Sequence, residues 1–392
     1  MRFRLKRAAA TAVGLVMLAG IAACGGSSGE ATDYGPYSGR PSDSDYDQKP
    51  SKSRGVLVES LRLGERILYG TDIDPDLKVG RGGGVFATYL GLDHSVISGP
   101  ESNAAEGHGP LAAFGSLAAN KPNAADQSEK FLATSLIEFP DDAAAAAAAA
   151  DMDRADFQAN ADNVPVTVDA FPAAISHWRP GVPTLGSVMA YKSLVIRVYA
   201  QLPDPDLGQL VDMVVRSYRR QIDMLADYTP TPAAELPNLH LDPDKLLTRI
   251  VRTEDPTPAA MKFAVYGVHA FSALLGSPAA DASTLIDHAV TAVGISYNKR
   301  LFKMRDGAAA TNYAGYLRDQ QNGADSSPMP GVSGLSDVTC SQLSKPASNS
   351  LEARRFRCVI TRGEYVAVVY SNTDTDVRQM AAAQYSVMGG QS

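Results

Sequence analysis

Apolar residues in this chain gather in short runs that end at an acid and give way to a helix-forming stretch. Leu132-Ala133-Thr134-Ser135-Leu136-Ile137-Glu138-Phe139 predicts a strand. Pro140-Asp141-Asp142 then starts a helix that runs through the alanines Ala143 to Ala150 and on to Phe157. The same order returns later. Tyr297 to Met304 predicts a strand, Arg305-Asp306 starts a helix, and the helix continues from Gly307 through Leu317. At an offset of 165, Leu136 meets Leu301, Asp141 meets Asp306 and Ala143 meets Ala308. A second pair of segments repeats at an offset of 171. Leu194 to Tyr199 is a strand followed by a helix from about Pro205 to Asp227, and Tyr365 to Tyr370 is a strand followed by a helix from about Asp374 to Val387. Offsets that differ by six describe one duplication with one insertion. Each half reads strand–helix–hairpin–helix, so the expected fold class is α+β: two similar lobes, each a small, mostly antiparallel sheet packed by helices. The lobes are expected at 55–230 and 259–392, joined by a Pro-rich hinge at 231–258 whose prolines forbid a continuous helix. A short helix from Pro243 to Arg252 is expected within the hinge.

The first 24 residues follow a different rule. Arg2, Arg4, Lys6 and Arg7 precede an uncharged apolar run from Ala8 to Gly20, and Ile21-Ala22-Ala23-Cys24 closes it. A basic start, a short apolar core and small residues before a cut define an export signal, here residues 1–23. Residues 25–54 are rich in Gly, Ser, Asp and Pro with no aliphatic run. Such a segment buries too little surface to offset its ordering entropy. Residues 24–54 are therefore expected to be a disordered tether.

The chain is 392 residues long with net charge −7. Removing the signal takes away four basic residues and no acid, which leaves net charge −11. This acidic balance argues against a nucleic-acid partner, which requires a basic face. It also argues against a second, electrostatic hold on anionic lipid. After Cys24 the chain has Cys340 and Cys358. An even pair in an exported chain reads as a disulfide, with two free buried thiols as the alternative.

Motifs that carry chemistry are scarce. Asp74-Pro75-Asp76, Asp204-Pro205-Asp206 and Asp242-Pro243-Asp244 match helix starts better than a calcium loop, because none has the spaced D-x-D-x-D-G pattern. Gly80-Arg81-Gly82-Gly83-Gly84 lacks the G-K-[ST] ending of a phosphate loop and reads as a flexible turn before a strand from Val85 to Leu90. The histidines His94, His108, His177, His240, His269 and His288 are scattered, with no metal-binding spacing, and read as solvated or capping. Gly331-Val332-Ser333-Gly334 is one residue short of a nucleophile elbow. Asp141 and Asp306 sit where helix caps belong. The tyrosines Tyr191, Tyr199, Tyr218, Tyr297, Tyr365 and Tyr370 read as sheet and core residues that a cleft between the halves would recruit. No catalytic, cofactor-binding or metal-binding residue is assigned.

The small pair before Cys24 resembles the lipobox of bacterial lipoproteins, which implies that Cys24 is acylated and becomes the mature N-terminus. The whole chain resembles a family of actinobacterial cell-envelope lipoproteins of unknown function. The resemblance rests on Cys24, on Arg62-Leu63-Gly64-Glu65-Arg66 with Asp72-Ile73-Asp74-Pro75, on the strand–Asp–Ala-helix units and on the late cysteine pair. It implies a protein anchored to the outer face of the cytoplasmic membrane through palmitate-type acyl chains. The expected role is non-enzymatic, the binding of an envelope lipid, glycan or protein partner, with no cofactor. The alternatives are an envelope hydrolase or transferase with an unrecognised site, and a structural scaffold. A cleft with a nucleophile would mark the enzyme, a deep apolar cleft lipid carriage, and a flat surface the scaffold.

Overall fold

The computed structural model describes residues 32–122, 128–253, 257–260, 262–321, 326–344 and 354–389. Cys24 and the signal segment 1–23 lie outside the described residues. Residues 33–392 form one compact unit.

The first lobe comprises α1 (Lys52–Gly64), β1 (Val79–Val85), a small hairpin of β2 (Ala87–Thr88) and β3 (Gly91–Leu92), α2 (Gly99–Glu106), β4 (Ala112–Ala119), β5 (Phe131–Glu138), α3 (Asp142–Phe157), β6 (Val164–Val166), β7 (Ile175–Trp178), β8 (Thr184–Tyr191), β9 (Leu194–Gln201) and α4 (Leu207–Met224). The second comprises β10 (Phe263–Tyr266), α5 (Val268–Ser272), α6 (Pro278–Asp287), β11 (Val290–Ser296), β12 (Lys299–Met304), α7 (Gly307–Gln321), β13 (Ser326–Met329), β14 (Val338–Leu343), β15 (Phe356–Arg362), β16 (Tyr365–Ser371) and α8 (Asp374–Met388). The two main sheets have seven strands each, in the orders β1-β4-β5-β9-β8-β7-β6 and β10-β11-β12-β16-β15-β14-β13. Strand for strand these are one topology used twice, and every pairing is antiparallel. The duplication extends to backbone detail. Lys192 and Gly363, offset by 171, both adopt left-handed φ in the hairpins β8–β9 and β15–β16.

Local sequence explains the elements. Asp141 caps α3 by accepting a hydrogen bond from the Ala144 N–H, and Asp306 accepts from the Ala309 N–H at the start of α7. In α4 the buried residues Leu210, Met213, Val214, Ser217, Tyr218 and Gln221 form one helical stripe. The same spacing returns in α8 with Val377, Met380, Ala381 and Gln384. Each sheet is covered on both faces. In the first lobe, α2 and α3 cover one face with Ala113, Ile137, Val188 and Val195 beneath them. The other face joins α4 to a core that runs without a break into the second lobe. In the second lobe, adjacent residues of β15 point to opposite helices: Arg357 donates to the Leu317 carbonyl of α7, and Cys358 lies against the Val377 carbonyl of α8. The Cys340–Cys358 disulfide is formed between the neighbouring strands β14 and β15.

Three expectations change. Residues 33–51 are no loose tether: Tyr37 donates to Asp376, Gln379 donates to Asp33, and Tyr46 packs edge-on against Phe263 at 4.9 Å. Three tyrosines supply the apolar area that the surrounding Gly, Ser and Pro lack. The hinge is not a hinge either. Leu241, Leu246, Leu247, Ile250 and Val251 are buried in the shared core, and the expected helix at 243–252 is a single 3-10 turn, Leu247–Arg249. The glycines Gly80 to Gly84 form most of edge strand β1 and not a turn. Gly82, Gly83 and Gly84 have φ of +101°, +124° and +107°, and a Cβ at Gly83 would sit 2.3 Å from the Gly115 carbonyl.

Candidate functional site

The two lobes place an arginine at the same rung of the same central strand pair, facing the helices that cover it. In the first lobe Ser135 of β5 pairs with Arg197 of β9; in the second Arg300 of β12 pairs with Val368 of β16. The arginine has moved to the partner strand and keeps its face. One rung away the lobes differ again. The row His177–Gly186–Tyr199 in the first lobe becomes Ser341–Arg357–Tyr370 in the second.

The first lobe closes this layer. Glu101 of α2 binds Arg197 side-on, accepting from Nε at 2.8 Å and NH2 at 3.0 Å, and both residues are buried. The same carboxylate accepts from the Ser98 N–H in a capping box. His177 donates to Asp153 at 2.9 Å and lies 3.4 Å from Asp156, both on α3. Burial opposes its charge, but the two carboxylates outweigh burial and push its pKa up to about 9. Helices α2 and α3 pack tightly against each other over these pairs.

The second lobe leaves the layer open. No comparable packing joins α6 to α7, and a cleft of about 270 Å³ lies between them. Its floor includes Arg300 and Arg357, and Phe302, Tyr313, Tyr316 and Tyr370 add aromatic surface. Arg300 lies over the Phe271 ring at 5.3 Å. Nε of Arg357 is buried with no hydrogen-bond partner among the described residues. Burial raises the Tyr313 hydroxyl above its usual range, and nearby Arg300 and Arg357 oppose the rise. The counterpart of Glu101 is Asp281 of α6. It accepts from the Ser277 N–H at 3.0 Å, as Glu101 does from Ser98, but among the described residues it forms no ion pair. Burial pushes its carboxyl above the usual range.

A third polar cluster lies in the first lobe, with the carboxylates of Glu59 and Glu138 buried and Arg62 reaching the surface. The Tyr228 hydroxyl lies 2.6 Å from Glu59 and 2.7 Å from Glu138. Glu59 also accepts from Arg62 and from the Thr231 side chain and N–H. One hydroxyl has one proton, so two carboxylates cannot both accept from it. With Glu59 charged opposite Arg62, Glu138 is the protonated acid that donates to Tyr228. Burial, helped by the Glu59 charge and opposed by the Tyr228 bond, pushes the Glu138 pKa up to about 8.

The remaining sequence candidates fall to structural roles. Asp206 caps α4, and Asp242 accepts from the Leu246 and Leu247 N–H groups. Asp74 and Asp76 start no helix; both hold Lys130 at a turn. His177 is buried between two acids, and His269 binds the Ile67 carbonyl where the lobes meet. Ser176 and His177 are neighbours on β7 and so point to opposite faces. Ser176 bonds Ser187, which bonds Tyr218, and no nucleophile–base pair results. Among the described residues no group of three His, Cys, Asp or Glu is placed to hold a metal. The expected cleft between the halves is filled by the shared core; of the six tyrosines read from sequence, Tyr370 lines the cleft within the second lobe. A larger groove of about 520 Å³ beside α1 includes the exposed hairpin tip Tyr89–Leu90 and has no converging cations. Arg300 and Arg357 had no spacing motif to mark them, because their alignment depends on strand pairing.

The fold and site define a duplicated α+β protein with one sealed lobe and one open lobe. Residues 46–241 match the family described as Domain of unknown function (DUF7373) N-terminal, and residues 246–391 match its C-terminal partner, so the chain belongs to the DUF7373 family. Among solved structures, the extracellular domain of PknH from Mycobacterium tuberculosis is similar at 12% identity and a TM-score of 0.28, over 45% of this chain and 99% of that one. A likeness at this level carries no argument about fold or function. No curated protein matches.

Proposed function

We propose that this protein is an exported, membrane-anchored binding protein of the cell envelope, and that its ligand enters the cleft between α6 and α7. The observation that carries this reading is the contrast between layers: the arginine layer is plugged by Glu101 in the first lobe and open in the second. A cleft of this size with a few converging polar groups and aromatic walls has the character of a small-molecule site. Export and anchoring rest on residues 1–24, with acylation at Cys24. Among the described residues no helix is long and apolar enough to cross a membrane.

Native mass spectrometry of the mature chain, exported in an actinobacterial host and extracted in mild detergent, tests the binding role. A bound mass that leaves on denaturation, and that Thr284→Glu in α6 abolishes, is the expected result. A clean mass under native conditions in wild type and variant counts against it. Labelling with an alkynyl palmitate analogue tests the anchor, with label expected on wild type and absent from Cys24→Ser.

A further inference from the structure

Two copies of one frame separate the side chains that the frame needs from those it does not. Asp141 and Asp306 match at the offset of 165, and each caps its helix, α3 or α7. The next residue differs: it is Asp142 in the first lobe and Gly307 in the second. Asp142 takes no part in the cap, and among the described residues its carboxylate has no hydrogen bond or ion pair. At the offset of 171, Lys192 of the β8–β9 hairpin matches Gly363 of the β15–β16 hairpin, with φ of +54° and +58°. Glycine adopts this left-handed conformation freely, whereas a residue with a Cβ adopts it under strain. The lysine is therefore held against the preference of its own backbone. Its ammonium has no hydrogen bond or ion pair among the described residues and lies 5.2 Å from the centre of the Tyr191 ring.

Both charges line one cleft of about 260 Å³, enclosed by the start of α3, the β8–β9 hairpin and the chain that follows α4. Leu194, Leu225, Tyr228 and Pro230 give it apolar walls. The Tyr228 wall is fixed, because its hydroxyl is held by Glu59 and Glu138. The second lobe has glycine at both charged positions. There Arg362, the counterpart of Tyr191, lies over the Tyr385 ring and donates to the Tyr385 carbonyl of α8.

We propose that the first-lobe cleft binds a free α-amino acid with an apolar side chain, its carboxylate at Lys192, its ammonium at Asp142 and its side chain against Leu194, Leu225 and Tyr228. Opposite charges on one cleft, neither neutralised inside the protein, complement a zwitterion; a lone anion would meet Asp142 and a lone cation Lys192. The volume is at the small end for ligand sites, which limits the occupant to about the size of one amino acid. This site is separate from the cleft between α6 and α7 and does not rest on it.

The test is isothermal titration of the full mature chain with L-valine, L-leucine and L-phenylalanine. The tightest binder of the three is then compared with its des-amino acid, its decarboxylated amine and phosphoethanolamine; for leucine the first two are isocaproate and isoamylamine. The amino acid should bind at least about tenfold more tightly than each of these, since only it satisfies both charges and the apolar wall. Lys192→Gly installs the residue of the second lobe. It should make the amino acid and the amine bind alike, with the melting temperature unchanged or higher. Asp142→Asn should make the amino acid and the des-amino acid bind alike. These changes of selectivity, unlike a general loss of affinity, do not arise from a damaged fold. The proposal is overturned if none of the three amino acids binds, if either single-charge analogue binds as tightly as the amino acid, or if both variants keep the wild-type selectivity. Tighter binding of phosphoethanolamine overturns it as well, by assigning the cleft to a zwitterion without an apolar body.

Discussion

The two lobes share strand order, helix placement and even the hairpin position of Lys192 and Gly363, yet they treat a buried arginine in opposite ways. In the first lobe the cation is neutralised inside the molecule by Glu101, and α2 closes down on α3. In the second the acid is one methylene shorter, the helices stand apart, and the cations face a cleft. Duplication preserved the frame, because sheet order and core packing are carried by many contacts of small individual worth. It left the layer between helices free to diverge, because a single side chain there decides whether the gap is filled.

The contrast breaks most sharply at the acids. Glu101→Ala leaves Arg197 buried without its partner and should cost about 3–5 kcal/mol in urea unfolding. Asp281→Ala removes only a cap bond and should cost about 1 kcal/mol. Equal costs would refute the claim that the two acids differ in role. Next comes the disulfide, which only the second lobe has. Cys340→Ser with Cys358→Ser opens a loop of 17 intervening residues and should cost about 3 kcal/mol. Hydrogen exchange should show the loss spread through β13–β16 more than through β4–β9.

A pH dependence sharpens the comparison from the other side. Glu138 has a folded pKa above its unfolded value, so it keeps its proton longer when folded. Its contribution is complete below about 4.5 and is lost as pH climbs through about 8. Between pH 6 and 8 the wild type should lose roughly 2 kcal/mol, and Glu138→Gln, which mimics the protonated acid, should flatten that slope. His177 acts in the same direction, with its contribution complete below about 6.5 and lost through about 9. The smallest effects are expected at a matched pair. Gln221 bridges the Arg66 carbonyl and the Leu68 N–H; Gln384 bridges the Arg249 carbonyl and the Val251 N–H. Gln221→Ala and Gln384→Ala should each cost about 1–2 kcal/mol by leaving buried groups unpaired. Unequal costs would show that the duplication stops short of these clasps.

Those clasps also show what the sequence made legible. The strands and helices around Asp141 and Asp306 were readable because apolar runs and caps are local signals. So was the disulfide. The segments Arg66-Ile67-Leu68 and Arg249-Ile250-Val251 are a third matched pair between the two halves and went unread, because proline-rich surroundings suggested a hinge. Tyr34, Tyr37 and Tyr46 escaped for a related reason: three scattered aromatics in a polar segment carry no period, yet each finds the core. The cleft was the least legible feature. Arg300 and Arg357 are 57 residues apart and become neighbours only through the pairing of β12, β16 and β15. Charge alternation inside a strand does not reveal whether the helix above it will close.

The docked segment at residues 33–51 sets a geometry for the proposed anchor. Asp33 is pinned to Gln379 on α8, and the cleft opens on the opposite face of the second sheet, beneath α7. From Cys24 to Asp33 the chain has nine residue steps, a reach of at most about 30 Å when fully extended. A lipid at Cys24 would act as a short leash, pulling on the back of the second lobe and keeping the body within about one domain diameter of the bilayer.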